Sequence, residues 1–267
     1  MKCFLVFFSS IVFISATAQK NVDGLIRSEK NFAAYSVAHG TRDAFLNFLD
    51  SSGIVFEKGQ PVNGMVTWSK KENGSGILNW TPQFAEIAMS NDFGYTSGPY
   101  TFQNANRDSV VASGQYATVW HVNARGEWKF LVDLGVGMVP VHQVESTKKI
   151  LHHNPAKNVV PFIESEKNFI RLFSKDPLST YIKYLSNHSI LNRNGILPAE
   201  SDDEKLKIIR NTPALLQMNI LGSGISSSGD LAYVYGSVSV EGKTDNYLRI
   251  WRKEKHQWKL AFEVLRY

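Results

Sequence analysis

Two neighbouring stretches of the sequence decide the fold: NDFGYTSGPYTF at Asn91–Phe102 and GQYATVWHVNARGEWKFLVDLG at Gly114–Gly135. Aromatic and β-branched residues dominate both, which is typical of strands. The second stretch alternates, so Tyr116, Thr118 and Trp120 are expected on one face and their neighbours on the other. A short turn with asparagine and glycine divides it. The pattern predicts three long antiparallel strands joined by two turns.

The residues before these strands show helical periodicity instead. Apolar residues recur at helical spacing over residues 23–38, and Gly40 is placed to end that helix. Thr41 is placed to cap a second helix. A short strand is predicted at Gly53–Glu57 and a third helix at Met65–Lys71. The order of elements is therefore two helices, a strand, a helix and a sheet.

The same order recurs later in the chain. Ser28–Phe32 reads SEKNF, and so does Ser165–Phe169. Further residues recur in the same order with small changes of offset: Asp92, Tyr95, Gly98, Tyr116, Trp120 and Trp128 match Asp230, Tyr233, Gly236, Tyr247, Trp251 and Trp258. Many matches in register indicate an internal duplication. We therefore predict a first domain at residues 19–137, a linker at 138–159 and a degenerate second copy at 160–267.

The first residues have the pattern of a secretory leader. Lys2 precedes a short apolar run, and Ala16–Ala18 supplies small residues for cleavage. We predict a signal peptide at residues 1–18, cleaved after Ala18, and a periplasmic or secreted protein with no membrane span after cleavage. Cys3 is the only cysteine and would be removed with the leader. Disulfides and thiolate chemistry are then excluded from the mature chain.

The composition narrows the function classes. The 267 residues carry a formal net charge of +5 and suffice for two compact domains. Basic and acidic residues are interspersed, which argues against nucleic-acid binding. Adjacent histidines at His152 and His153, with His142 nearby, lack carboxylates in useful register. The sequence therefore predicts neither a metal site nor a cofactor.

The quoted motifs resemble one known family. GYTSGPY, YATVWHVNARGEWKFLVDLG and the WTP at Trp80–Pro82 are similar to the nuclear transport factor 2-like superfamily, in particular its SnoaL-like branch of uncharacterised secreted bacterial proteins. The resemblance covers nearly all of residues 24–137 and is weaker over 160–267. It implies an α+β fold of two tandem cone-shaped domains, each a curved antiparallel sheet wrapped around about three helices. It also implies that the two copies pack together as an intramolecular pseudo-dimer.

Membership of this superfamily does not imply a reaction, because its members include isomerases, dehydratases, cyclases, transport factors and proteins without known activity. Isomerase-type chemistry needs a carboxylate base and a hydroxyl donor in an apolar cavity. Asp133, Tyr95, Tyr116 and Tyr35 are the candidates. Asp133 follows Phe130–Val132, so burial there would raise its pKa. A structural role at the strand end is the alternative.

A ligand pocket is predicted from the aromatic residues of the first copy. Its candidate lining comprises Trp68, Trp80, Tyr95, Tyr100, Trp120 and Asp133. Such aromatic residues also serve as ordinary core, which is the alternative for each. Glycines at Gly94 and Gly98 are expected to let the strand bend or bulge.

Three functions fit these observations. The first is a binding module whose N-terminal cone holds a small, largely apolar molecule, with the second copy as its packing partner. The second is an isomerase, lyase or cyclase that works by general acid/base catalysis without a cofactor. The third is a structural or interaction protein whose cones are filled by side chains. The second requires a carboxylate and a tyrosine facing one cavity.

Overall fold

The computed structural model describes residues 19–106, 109–138, 146–150 and 161–267. The predicted leader at 1–18 lies outside the described residues, as do His142, His152 and His153 of the predicted linker. Within the described part of the chain, no helix has the length and apolar character needed to cross a membrane.

Each half of the chain begins with two helices and contains a third. The six helices of the described residues are α1 Val22–His39, α2 Thr41–Phe48, α3 Gly64–Ser69, α4 Phe162–Phe173, α5 Pro177–Tyr184 and α6 Asp202–Arg210. Gly40 ends α1 with a φ of 92°, a conformation that glycine adopts without strain. The predicted cap at Thr41 is wrong, because Thr41 is the first residue of α2 and Gly40 precedes it as N-cap.

The strands form one sheet in each half. In the first half they are β1 Leu49–Glu57, β2 Gln60–Asn63, β3 Ile77–Trp80, β4 Phe84–Ile87, β5 Phe93–Gln103, β6 Val110–Val122, β7 Trp128–Gly137 and β8 Lys148–Ile150. In the second half they are β9 Leu185–Arg193, β10 Ile196–Ala199, β11 Gln217–Ile225, β12 Leu231–Val240, β13 Lys243–Glu254 and β14 Gln257–Leu265. The α+β class is confirmed.

The two sheets share an arrangement of six strands, to which the first sheet adds β3 and β8. The first runs β2-β1-β7-β6-β5-β4-β8, with β3 also on β5, and the second runs β10-β9-β14-β13-β12-β11. The long central pairs β5–β6, β6–β7, β12–β13 and β13–β14 are antiparallel as predicted. The sheets are nevertheless mixed rather than purely antiparallel. β1 pairs with β7 and β9 with β14 in parallel, and the chain between the members of each pair is a long crossover that contains one helix and several strands.

The glycines of the central strands serve close packing rather than bulges. Gly98 pairs with Tyr116 without a register shift. A Cβ at Gly98 would lie 2.0 Å from the Thr81 carbonyl oxygen, and one at Gly236 would lie 2.1 Å from that of Asn219. Neighbouring backbone therefore passes too close for any side chain at either position. Register shifts occur instead between Phe102 and Gln103, where β5 pairs with β6, and between Val119 and Trp120, where β6 pairs with β7.

Part of the predicted linker is a strand. β8 pairs in parallel with β4 through Phe84 and Lys148, so residues 148–150 extend the first sheet. Lys148 then reaches Glu200 of the second half at 2.8 Å. The sequence did not predict this strand, because three residues are too few to show alternation.

The faces of the two sheets that point away from their helices pack against each other. One cluster of buried residues contains Tyr95, Ala117 and Val119 from the first half together with Ile250 and Phe262 from the second. The rings of Tyr95 and Phe262 are 5.3 Å apart. Each central strand therefore has one face on its own helices and the other on the opposite half.

Candidate ligand cavity in the N-terminal half

A cavity of about 230 Å³ lies between the helices and the sheet of the first half. Its walls are largely aromatic and apolar, with one acid and one base: Phe32, Phe45, Leu78, Trp80, Tyr100, Tyr116, Asp133, Gly135 and Arg266. Arg266 comes from the second half, directly after β14. A second cavity of about 170 Å³ shares Phe45, Asp133, Gly135 and Arg266 with it and is also lined by Trp68.

Asp133 and Tyr116 are the polar groups that β6 and β7 contribute to the cavity. The Thr118 hydroxyl donates to Asp133 Oδ2 at 2.8 Å, across the antiparallel pair. Burial outweighs this bond and raises the pKa of Asp133 to about 6. The buried Tyr116 hydroxyl has no hydrogen-bond partner among the described residues. Asp133, whose pKa is raised, and Tyr116, whose hydroxyl has no partner among the described residues, thus both belong to the lining of this cavity.

Glu29 forms a second buried acid on the inner face of α1. Its carboxylate is fully buried and accepts from the indole N–H groups of Trp80 and Trp120 and from the hydroxyl of Thr96. Desolvation still raises its pKa to about 7, and the charge of Asp133 adds to the effect. Glu29 anchors the indole of Trp80 and so fixes one wall of the cavity.

The structure brings together four of the predicted site residues. Trp80, Tyr100, Tyr116 and Asp133 line the cavity, and their side chains come from β3, β5, β6 and β7. The predicted facing of β6 is confirmed, because Tyr116, Thr118 and Trp120 all point to the helix side.

Four other candidates lie elsewhere. Tyr95 faces the second half, because its neighbour Thr96 takes the helix side of β5. Trp120 is fully buried beneath the cavity, where its indole binds Glu29 and its ring packs on Phe32. Trp68 lines the smaller cavity. Tyr35 packs against His39 and Phe48 and does not line the larger cavity.

In the second half, the corresponding space contains arginine. Thr118 lies opposite Asp133, and Arg249 lies opposite Glu263 at the matching register of β13 and β14. The Arg249 guanidinium bonds to Glu166 at 2.7 Å and to Glu263 at 2.6 Å.

Further polar side chains complete this network. Glu263 also accepts from the Tyr181 hydroxyl at 2.7 Å and from Arg193 at 2.5 Å. All of these groups are buried. The arginines lower the pKa of Glu263, whereas the equivalent Asp133 has a raised one. The two halves therefore differ at their centres: ion pairs fill the second, and a cavity remains in the first.

No group of three or more metal-ligating side chains occurs in the described part of the chain. His121, a lone strand histidine, is paired with Asp50 at 2.8 Å. Neither residue lines the aromatic cavity.

Sequence reasoning missed Glu29 and Arg266. Glu29 could have been found, because it lies within the repeated SEKNF motif and shares a helical face with Leu25, Phe32 and Ser36. An acid on an apolar face, present in both copies, indicates a buried carboxylate. Arg266 offers no such signal, because its position depends on how the two halves pack.

Comparison with known proteins gives partial matches. No protein-family model matches the chain, and no curated protein matches it. Among solved structures, a nuclear transport factor 2-like protein of unknown function from Shewanella oneidensis MR-1 is 16% identical, with a TM-score of 0.35, covering 42% of this chain and 96% of its own. One from Cytophaga hutchinsonii ATCC 33406 is 12% identical, with a TM-score of 0.31, covering 38% and 91%.

A de novo designed protein with a curved β-sheet is matched at a similar level: 16% identity, a TM-score of 0.34, and coverage of 39% of this chain and 96% of that one. Scores this low carry no argument about function. The solved structures similar to this chain thus include nuclear transport factor 2-like proteins of unknown function, each spanning about two fifths of its length.

Proposed function

We propose that this protein binds a small, largely apolar molecule in the N-terminal cavity. The observation that carries the proposal is the difference between the two halves. At the same register, the first half has a cavity with aromatic walls and the second has the Arg249 ion pairs. Ligand sites are usually concave and mostly apolar, with a few convergent polar groups. Tyr116 and Asp133 supply those groups.

The second half serves in this proposal as a packing partner. The two halves would be tandem copies of one domain of the SnoaL-like branch, joined as an intramolecular pseudo-dimer. The shared strand order, the matching register of Asp133 and Glu263, and the packed sheet faces support this. A secreted location follows from the leader pattern at residues 1–18 and belongs to the same proposal.

Filling the cavity tests the binding function. Thr118→Arg introduces into the first half the residue that the second half has at this position, and its guanidinium is expected to lie between Glu29 and Asp133. We expect the cavity to close and binding to be lost. The measurement is a thermal-shift screen of small aromatic molecules, in which a ligand of the folded protein raises the melting temperature of the unmodified chain. At a concentration 100 times Kd the stabilisation is about 2.7 kcal/mol.

Two further variants make the result decisive. Leu78→Trp fills the same cavity from β3 without adding charge. Leu197→Trp makes the same change on β10 of the second half, where the side chain is exposed and is not part of the cavity lining. Binding that survives both cavity-filling variants, or none to the unmodified protein, contradicts the proposal.

General acid/base catalysis is a second candidate, favoured by the placement of Asp133 and Tyr116 on one cavity. A carboxylate with a pKa of about 6 is close to the optimum for a base at neutral pH. Tyr116 would donate to a developing oxyanion, and its partner-free hydroxyl in the described structure suits that role. This function requires the raised pKa.

The pKa of Asp133 can be measured directly. Thr118→Val removes the hydroxyl that donates to Asp133 with little change of shape, so we expect the pKa to rise above about 6. Carboxyl-carbon NMR shifts followed from pH 3 to pH 9, with Asp133→Asn for assignment, provide the measurement. Thr101→Val on β5 makes the same change outside the cavity lining and should leave the titration unaltered. A midpoint near the ordinary aspartate value in the unmodified protein excludes the catalytic candidate.

A further inference from the structure

We propose that the ligand of the N-terminal cavity carries a carboxylate on a flat apolar body, and that Arg266 of the second half selects it. The inference rests on the proposed binding function and adds its ligand class. It also makes the second half part of the binding site, because Arg266 belongs to that half while the other lining residues belong to the first.

Arg266 is held in place at the cavity by both halves. Its Nε lies 2.9 Å from Asp245 Oδ1 of the second half. Its Nη1 lies 3.5 Å from the carbonyl oxygen of Gly135, a residue of the cavity wall. Its backbone N–H donates to Asn246 at 3.2 Å. The side chain is 32% exposed, so the guanidinium lies where the cavity meets solvent.

The guanidinium retains capacity for a ligand. Arginine presents five N–H donors in a planar fork that matches a carboxylate in two-point contact. The contacts with Asp245 and Gly135 involve Nε and Nη1, and the latter is long. A ligand carboxylate at this position would also be accessible to water, so it need not be fully desolvated.

The interior fits a flat apolar group. Trp80, Tyr100 and Phe32 contribute aromatic rings to the lining, and Tyr116 adds a buried hydroxyl without a partner among the described residues. An engineered cavity of about 150 Å³ binds benzene. At about 230 Å³ this cavity has room for a larger ring system. Arg266 is the one cationic side chain among the described residues of the lining, so the ligand carboxylate is expected at its guanidinium and not beside Asp133, the one acid of that lining.

The experiment compares 2-naphthoate with 2-naphthamide by isothermal titration calorimetry at fixed pH and salt. The two probes have nearly the same shape and differ in charge. We expect the naphthoate to bind the unmodified protein roughly tenfold more tightly, the ratio for one charge-assisted contact. Arg266→Met should abolish that preference and leave the affinity for the amide nearly unchanged.

Arg42→Met is the matched control. Arg42 is 33% exposed and pairs with Asp43 at 2.7 Å, so its exposure and pairing resemble those of Arg266, but it does not line the cavity. The Arg42→Met variant should keep the tenfold preference for 2-naphthoate over 2-naphthamide. Equal affinity of the unmodified protein for both probes overturns this inference and leaves the binding function standing. Failure of both probes to bind overturns the inference, and the cavity-filling variants then decide the binding function separately.

Discussion

Replacing Arg249 with methionine is expected to lower the free energy of unfolding by about 3–5 kcal/mol, the usual cost of removing one partner from a buried ion pair. Arg249 binds two fully buried carboxylates, Glu166 at 2.7 Å and Glu263 at 2.6 Å. After the substitution Glu263 retains Arg193 and Tyr181, whereas Glu166 retains the indole of Trp251. Urea denaturation at pH 7 measures the change.

The pH dependence of the loss identifies its cause. In the unmodified protein the pKa of Glu263 is lowered, so its stabilisation is present above the unfolded-state pKa and is lost as the pH falls. In Arg249→Met, a carboxylate without its cation should have a raised pKa, so stability falls as the pH rises above the unfolded-state value. The difference in the free energy of unfolding between the unmodified protein and Arg249→Met should therefore become smaller from pH 7 to pH 4.

A surface pair provides the control for this variant. Arg125 contacts Glu127 at 3.1 Å and is 76% exposed, so Arg125→Met should cost less than about 1 kcal/mol. If Arg249→Met also costs less than about 1 kcal/mol, or if its loss of stability does not change with pH, the central ion pairs of the second half contribute little to the stability of the fold.

Glu86→Gln is expected to weaken the packing of the two halves by a similar amount, about 3–5 kcal/mol. Glu86 on β4 receives two hydrogen bonds from the Arg252 guanidinium on β13, one of them at 2.7 Å from Nε. Both side chains are buried. Glutamine keeps the size of the Glu86 side chain but removes its negative charge from beside Arg252. Arg252 then retains its contacts with Ser186 at 2.8 Å and Glu254 at 3.1 Å. Differential scanning calorimetry measures the effect.

A double-mutant cycle that combines Glu86→Gln with Arg252→Met isolates the interaction energy between these two side chains. The double variant should lose less stability than the sum of the losses of the two single variants. Lys148→Met removes an exposed ion pair between the halves, that of Lys148 with Glu200, in which Lys148 is 66% exposed. That change should cost less than about 1 kcal/mol. Additive losses in the cycle would mean that Glu86 and Arg252 do not stabilise each other.

Several features of the fold could be predicted from local pattern. Alternation in Val110–Val122 predicted that Tyr116 and Trp120 lie on the same face of the sheet, because successive side chains of a strand point to opposite faces in any packing environment. The repeat of SEKNF gave the second half its first helix. Local pattern failed for the β1–β7 pairing, since a parallel pair leaves no mark on either strand alone, and for β8, which is too short to show a period.

The candidate site was predicted only in part. Asp133, Trp80, Tyr100 and Tyr116 were named from the sequence and do line one cavity. Tyr95 was placed there wrongly, because an aromatic strand residue fits either face of a sheet buried on both sides. Arg266 was missed, because it enters the site from the other half.

The sequence by itself determined the order of most elements, the repeat and the facing of β6, since these depend on residues close together in the chain. Only the tertiary structure decided which half has a cavity. β13 has Arg249 where β6 has Thr118, and the effect of this difference depends on Glu29 and Glu166, which approach from the helices α1 and α4. Burial leaves ion pairs in the second half and a cavity with a carboxyl of raised pKa in the first. Desolvation depends on which groups pack together, and residues distant in the chain supply those groups.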